Sequence, residues 1–452
     1  MNLRTFKKGV RPSEFKEFTD GKSIEILPLP NEVFIPVQQH IGAPCKPVVE
    51  KGMDVKTGQI IATAGGFVSS LIHATISGKV KAIESFPHPL GGQGLMIQIV
   101  SDGKDEWIDT GEDNPKVRDW EKLSKDEIIT AIQNAGIVGM GGAAFPLHVK
   151  LSPPKGKTID TFILNGCECE PFLTADHRMM LEQTDDVVLG VRLIMKALGA
   201  EKAIIGIEAN KPDAIEKITK AIVPFPNITV QPLKVKYPQG AEKMLIKAAL
   251  DRNVPAGGLP MDVNVVVNNV GTAIAVTDAV MRKRPVIERV VTVTGKGIRE
   301  PKNVLARIGT PFQNLIDFCG GLTEDAAKVL MGGPMMGVTQ HTLAVPVIKA
   351  TSGIVCLTFE SVVEKTEYPC IQCGACIRVC PMDLMPTRLA RFAQNCKWDE
   401  AEKFGIVNCI ECGSCAFVCP SNIPLVQRIR IGKLKVNEIR RKQKTAEKVE
   451  SI

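Results

Sequence analysis

Eight cysteines in two short runs carry the most specific chemistry of this chain. The first run reads Cys370-Ile-Gln-Cys373-Gly-Ala-Cys376-Ile-Arg-Val-Cys380-Pro381, and the second Cys409-Ile-Glu-Cys412-Gly-Ser-Cys415-Ala-Phe-Val-Cys419-Pro420. Thiolate is the soft ligand that iron-sulfur clusters need, and this spacing lets three sulfurs of one loop reach three irons of a 4Fe-4S cluster. The fourth cysteine of such a run ligates the other cluster. Two clusters are therefore predicted, one on Cys370, Cys373, Cys376 and Cys419, the other on Cys380, Cys409, Cys412 and Cys415. Gly374 and Gly413 free each loop to turn, and the prolines end the coordinating segments. Zinc knuckles and disulfides are the alternatives. Zinc takes its ligands as spaced pairs and disulfides belong to oxidising compartments, so clusters are the better reading.

Two further stretches suggest ligand chemistry. In Gly136-Ile-Val-Gly139-Met-Gly141-Gly142-Ala-Ala-Phe145-Pro146-Leu-His-Val-Lys150 the glycines let backbone N–H groups approach an anionic or planar ligand, and Pro146 suits the first turn of a helix whose end attracts phosphate. Lys150 offers a counter-charge. The stretch is neither a P-loop nor a dinucleotide fingerprint, and a tight interhelical turn is the plainer alternative. In Thr161-Phe-Ile-Leu-Asn165-Gly166-Cys-Glu168-Cys-Glu170-Pro171 a short apolar strand runs into a loop with two carboxylates, which suits ribose hydroxyls or an amide. A solvated acidic loop is its alternative.

Positioning these groups takes several modules. A chain of 452 residues has room for about three or four domains, and its net charge of +7 is modest. The six remaining cysteines are scattered, as in a reducing compartment. The N-terminus lacks the apolar core of a signal peptide, and no segment approaches the ~20 apolar residues of a membrane span, so a soluble or peripherally attached chain is expected. Residues 1–25 read as an arm. Residues 26–115 alternate short β-branched runs with Gly and Asp, and resemble the barrel-sandwich hybrid of biotinyl or lipoyl carriers; the tip at Gly65-Gly66-Phe67 has no lysine to modify. Residues 119–285 alternate helices and strands as a mostly parallel sheet demands, opening with a capping box at Ser124-Lys-Asp-Glu127 and including a helix over 176–198. Residues 360–430 hold the cysteine runs, with a helical spacer marked by Leu384, Leu389, Phe392 and Ala393. Residues 431–452 form a basic tail read as a solvated helix or a contact for anionic lipid or acidic partners. No aromatic residue interrupts it, and no nucleic-acid platform is expected.

Three ordered signatures resemble the flavin-binding 51-kDa subunit family of respiratory complex I. They are Gly139-x-Gly141-Gly142-x-x-Phe145-Pro146-x-x-x-Lys150, Asn165-x-x-Glu168-x-Glu170-Pro171 and Asn268-Asn269-Val270-x-Thr272. The resemblance implies that the loop residues Gly139, Gly141, Gly142 and Phe145, with Lys150, hold FMN. It implies that Asn165, Glu168, Glu170, Asn268, Asn269 and Thr272 line the flavin and NADH cavity. Ala144 replaces the family's second glycine before Phe-Pro, and Cys167 its aspartate. Residues 286–350, read as a strand at Val290–Gly295, helices around 304–308 and 312–318, and the loop Gly332-Gly333-Pro334-Met335-Met336, resemble the β-grasp domain of that family. Those methionines suit a domain junction.

The order of barrel-sandwich hybrid, α/β flavoprotein core, β-grasp domain and α-helical two-cluster ferredoxin more closely resembles the RnfC family of the Rnf complex, the ion-translocating ferredoxin:NAD+ oxidoreductase. The resemblance implies two 4Fe-4S clusters, FMN and NAD(H) as cofactors. It also implies integral and peripheral membrane subunits as partners, ferredoxin as electron donor or acceptor through another subunit, and a peripheral place on the cytoplasmic side of the cell membrane. No catalytic acid or base is expected, because the cofactors carry the chemistry. Two other functions use the same residues: a soluble flavin and iron-sulfur reductase like cobalamin reductase, and a non-catalytic electron-wire subunit.

Overall fold

The computed structural model describes residues 3–108, 119–154, 156–362 and 366–450, with side chains as far as residue 443. The short β-branched runs near the N-terminus form two packed antiparallel sheets. Glu32–Pro36, Gln93–Ser101, Gly78–Pro87 and Asp54–Val55 make one; Lys46–Pro47, Ile60–Thr63 and Ile72–His73 make the other. Val33 pairs with Ile99 and Ile35 with Ile97, so period-two alternation buries all four side chains against Ile61 and Ile72. Phe67 stands exposed at the hairpin tip. The expected junction near residue 115 falls outside the described residues.

The α/β core begins with α1 (Lys125–Asn134). Ser124 Oγ accepts from Glu127 N, and the Glu127 carboxylate accepts from Ser124 N, the reciprocal cap that the sequence predicts. After a glycine-rich turn comes α2 (Leu147–Lys150), a single turn. Four strands then form a parallel sheet in the order Ile228–Leu233, Lys202–Glu208, Thr161–Gly166, Val265–Asn269. From Thr161–Gly166 the chain moves outward twice and then returns to the opposite side. The crevice beyond the carboxyl ends of Thr161–Gly166 and Val265–Asn269 is thus a topological switch point, where open α/β sheets bind ligands.

The single helix expected over 176–198 is two, α3 (Ala175–Glu182) and α4 (Thr184–Leu198). Gln183 leaves the helical region at φ −126°, and the Thr184 hydroxyl donates to Met180 O, the local bond by which threonine competes with a continuing helix. Helices α5 (Pro212–Ala221) and α7 (Val270–Arg282) pack with α4 on one face of the sheet, and α6 (Glu242–Leu250) covers the other. α4 and α7 pack so closely that a Cβ on Gly190 would lie 2.1 Å from Ala273 O.

A six-stranded mixed sheet follows, in the order Ile24–Ile26, Lys302–Arg307, Glu288–Thr294, Gly353–Thr358, Ala326–Met331, Val338–Thr339. Here the expected helix at 304–308 is wrong. A short apolar run does not declare its period, and Val304 and Leu305 are claimed as a strand by antiparallel pairing with Val291 and Val290. The helix at Phe312–Phe318 is present as expected.

The cysteine module is helical. Its spacer forms Pro386–Gln394 and Trp398–Lys403, which bury Leu389, Ala390, Ala393 and Ala401 against the long terminal helix Leu425–Glu450. The two runs repeat in backbone as well as in sequence: positive φ recurs at Gln372 and Glu411, at Gly374 and Gly413, and at Asp383 and Asn422. The terminal helix folds back on the module through Arg430 and Lys433 to Glu411 and Arg440 to Glu402. The tail's Lys444, Glu447, Lys448 and Glu450 have side chains outside the described residues.

The N-terminal segment is a strap across three modules. Arg4 bridges to Leu233, Val10 exchanges both backbone hydrogen bonds with Tyr237, and Gly9 N donates to Val379 O between two cluster cysteines. Phe15 and Phe18 stack on Phe172, and Asn303 of the mixed sheet donates to Thr19 O.

Candidate functional site

Cys380, Cys409, Cys412 and Cys415 line one cavity, walled by Leu384, Leu389, Ile410, Val426 and Ile429. It holds the last cysteine of the first run with the first three of the second. Segments flanking the other set also meet: Tyr368 N donates to Ser421 O at 3.0 Å, Ser421 Oγ to Pro369 O at 3.0 Å and Asn422 Nδ2 to Thr366 O at 3.1 Å. These bonds bring the Cys419 end of the second run beside the entry to Cys370. Four thiols facing an apolar cavity are a donor set that fits a 4Fe-4S cluster. Burial pushes the Cys409 thiol up to about 11 and raises Cys415 further, so metal binding must drive their deprotonation.

The two loops differ in surroundings. Cys412 is buried with Val10, Tyr237 and Met335, and a Cβ on Gly413 would lie 2.7 Å from Met335 O. Cys370 and Cys373 are exposed, as are Tyr368 and Ile371 beside them.

At the switch point, the glycine loop closes through Gly139 N to Phe145 O at 2.9 Å and lies against the start of α7. Met140 N donates to Thr272 Oγ1 at 2.9 Å, and a Cβ on Gly141 would approach Asn269 Cβ to 3.0 Å. Gly142 takes φ +138°, a backbone that side chains rarely adopt. Among the described residues, the N–H groups of Gly141, Gly142, Ala143 and Ala144 make no hydrogen bond of good geometry to a protein acceptor beyond the weak turn contact of residues 140–143. Asn268 Nδ2, at the end of its strand, is buried without a partner among the described residues. Successive free N–H groups, an orphan amide and the amino end of the 13-residue α7 fit a phosphate-bearing planar ligand such as FMN. The helix end that does this belongs to α7, because α2 is only one turn long.

The other predicted residues are also here. Asn165 Nδ2 donates to Gly240 O at 2.8 Å, and Asn269 caps α7 while donating to Asp176 Oδ2 at 2.6 Å. Glu168 accepts from Asp176 N and His177 N, capping α3 with its carboxylate. Lys150 is held by Val267 O at 2.6 Å and Glu242 at 2.8 Å, so its charge is already paired. Glu170 lies between modules, accepting from Met335 N at 3.1 Å and Tyr237 Oη at 3.3 Å.

The sequence matches four family models in chain order. They are the RnfC barrel sandwich hybrid domain over residues 4–104, the Nuo51 FMN-binding domain over 132–278, the SLBB domain over 290–339 and a 4Fe-4S dicluster domain over 369–423. Among solved structures, an NAD+-reducing [NiFe]-hydrogenase in the H2-reduced state aligns at 18% identity over 69% of this chain and 60% of that one, with a TM-score of 0.46. The C subunit of the proton-translocating ferredoxin:NAD(+) oxidoreductase complex of Clostridium ljungdahlii is 53% identical over 89% of this chain and 87% of its own. The C subunit of the Na(+)-translocating ferredoxin:NAD(+) oxidoreductase complex of Acetobacterium woodii is 47% identical over 98% of this chain and 100% of its own. This chain belongs to the RnfC family of ion-translocating ferredoxin:NAD+ oxidoreductases.

Several residues shape this RnfC-family site without a sequence signal of their own. Lys16, in the strap, is buried and donates to Glu168 O at 2.9 Å, Glu170 O at 3.1 Å and Leu173 O at 2.6 Å, fixing the acidic loop from behind. Burial lifts Glu170 to about 7, against the hydrogen bonds from Met335 and Tyr237. Burial does the same to Glu208, and the Lys211 ammonium 3.8 Å away does not offset it. Asp176 is raised by burial and by the neighbouring Glu168 carboxylate. The Gly-Gly-Pro-Met-Met loop turns out to be the junction itself: a Cβ on Gly333 would meet Glu170 Oε2 at 2.2 Å, and Arg430 of the terminal helix donates to Met336 O at 3.3 Å. Among the described residues no helix is long and apolar enough to cross a membrane.

Proposed function

We propose that this chain is the NADH-facing redox subunit of a membrane complex that couples electron transfer between ferredoxin and NAD+ to ion translocation, and that it sits peripherally on the cytoplasmic side. FMN, when bound, exchanges hydride with nicotinamide and single electrons with iron-sulfur clusters, so it converts pairs to singles. In this reading the glycine loop, Asn268, Asn269 and Thr272 hold the flavin, with Lys150 bracing the cavity wall. Asn165, Glu168 and Glu170 face the flavin and nicotinamide. Cys380, Cys409, Cys412 and Cys415 hold an inner cluster, and Cys370, Cys373, Cys376 and Cys419 an outer one. The domain limits are those read from the sequence, except that the mixed sheet of the third module runs on to Thr358 rather than ending at 350, and the strap and its edge strand are shared between modules.

The observation that carries the proposal is Met335. Its N–H holds the Glu170 carboxylate of the flavin side, while its carbonyl faces Gly413 in the loop of the inner cysteines. The flavin core and the inner cluster site therefore meet at Met335, beside the direct contacts of Tyr237 with Cys412 and of Gly257 N with Asn408 Oδ1 at 3.1 Å. The outer loop, with exposed Cys370, Cys373, Tyr368 and Ile371, faces the partner subunits. The test is anaerobic purification with iron, sulfide and flavin analysis, then an NADH titration. About eight irons and one FMN per chain, with NADH bleaching both chromophores, are expected. Eight irons without flavin, or flavin that NADH does not bleach, would reject the proposal. Co-purification with integral membrane subunits distinguishes it from a soluble reductase.

A further inference from the structure

Two buried cations lie behind the glycine loop, and neither makes an ion pair among the described residues. Arg289, at the start of the Glu288–Thr294 strand, is 5% exposed; it donates through Nη2 to Met140 O at 3.5 Å and through Nη1 to Lys349 O. Lys349 is 1% exposed and donates to Gly136 O at 2.6 Å and to Leu71 O of the barrel-sandwich module at 2.8 Å. Among the described residues, the acidic groups acting on them are Asp176 for Arg289 and the Cys45 thiol for Lys349. Burial lowers both, Arg289 to about 10 and Lys349 to about 8. Burying two cations is costly, and carbonyl hydrogen bonds, with Asp176 beyond ion-pair distance of Arg289, leave room for a further anion to offset them.

The geometry says where that anion goes. In a trans peptide the C=O and the following N–H point opposite ways, so drawing Met140 O onto Arg289 aims Gly141 N–H out of the loop. Lys349 fixes the other end of the same loop at Gly136, where a Cβ would lie 2.4 Å from Leu71 O and 3.0 Å from the Lys349 ammonium. Lys150, the expected counter-charge, is committed to Glu242 and Val267 O. Nearby Asp176 and Glu168 add negative charge, which a phosphate would meet without Arg289.

We propose that Arg289, supported by Lys349, is the positioning residue of a phosphate site on the glycine loop, holding the loop's carbonyls inward and providing fixed positive charge for the phosphomonoester of FMN. The proposal rests on the flavin reading above, and it assigns the barrel-sandwich module a structural share in flavin affinity through Leu71. FMN and riboflavin differ only in the phosphate, so their affinity ratio isolates this role. The experiment uses the full chain with clusters intact and flavin removed, titrated with each flavin by fluorescence quenching.

Wild type is expected to prefer FMN. Arg289→Gln should weaken FMN about tenfold or more while moving riboflavin less than about twofold, Arg289→Lys should recover part of the ratio, and Lys349→Met should lower it less. Iron content checks folding. If Arg289→Gln does not accumulate, the Arg289→Lys and Lys349→Met ratios decide alone. A variant ratio equal to wild type overturns the proposal while leaving the flavin reading intact. A wild type that binds both flavins equally overturns the loop as a phosphate site, and the proposal with it.

Discussion

Gly374 and Gly413 occupy equivalent places in the two cysteine loops, at φ +71° and +77°, so alanine at either meets the same left-handed backbone. That conformation costs about 1 kcal/mol for alanine. The surroundings then separate them. A Cβ on Gly374 finds only the flexible end of Arg378, Nη1 at 3.2 Å, which can swing away. A Cβ on Gly413 meets the backbone oxygen of Met335 at 2.7 Å, well inside the 3.4 Å of an ordinary contact, so the inner loop and the Met335 loop must separate. Overpacking of this kind adds about 1–3 kcal/mol, for a total of about 2–4 kcal/mol at Gly413. In a multidomain chain the local measure is iron release to a chelator under mild denaturant. Gly413→Ala should release iron at least about tenfold faster than Gly374→Ala, following from a difference of roughly 1.4 kcal/mol. NADH should bleach the clusters of Gly374→Ala normally but those of Gly413→Ala slowly, while dithionite bleaches both alike. Equal iron release and equal NADH bleaching would refute the claim that Met335 joins the flavin core to the inner loop.

Lys16→Met removes three hydrogen bonds from an ammonium to carbonyls of the acidic loop, and after relief of the buried charge should destabilise that loop by about 2–4 kcal/mol. Flavin content should fall and hydrogen exchange at residues 166–173 should rise, with iron unchanged; unchanged exchange there would show that the strap is dispensable. The raised values of Glu170 and Glu208 set a pH dependence. Both carboxyls stay protonated in the fold while the unfolded chain ionises above about 4.5, so their contribution is complete below that pH and is lost as pH rises to about 7. Between pH 5.5 and 7.5 the flavin-free protein should lose about 2 kcal/mol per carboxylate, read as faster corrected exchange in the acidic loop, and Glu170→Gln should remove its share. A loop equally protected at both pH values would contradict this.

What the sequence made legible was local. The cysteine runs, the Ser124 capping box and the glycine and acidic stretches declare themselves because each is a pattern written within a dozen residues, even where its partners lie far off. What it concealed depends on distant partners. Lys16 acts on carbonyls more than 150 positions away, and nothing in a polar arm marks it. Arg289 and Lys349 do leave a trace, each a lone cation beside buried apolar residues, Arg289 in the Glu288–Thr294 strand and Lys349 in the turn after Val345-Pro346-Val347-Ile348. The strand at Lys302–Arg307 was hidden for the same reason: its identity comes from pairing with Glu288–Thr294, not from its own six residues.

The strap also sets a timetable for biosynthesis. Lys8 reaches the carbonyl of Ile377, 369 positions later, so the strap can dock on Phe172 and Tyr237 well before its contact with the cysteine module becomes possible. Domains otherwise fold as they emerge from the ribosome. Here the strap's most distant contacts lie beside Cys376 and Cys380, which ties its full docking to delivery of iron and sulfide.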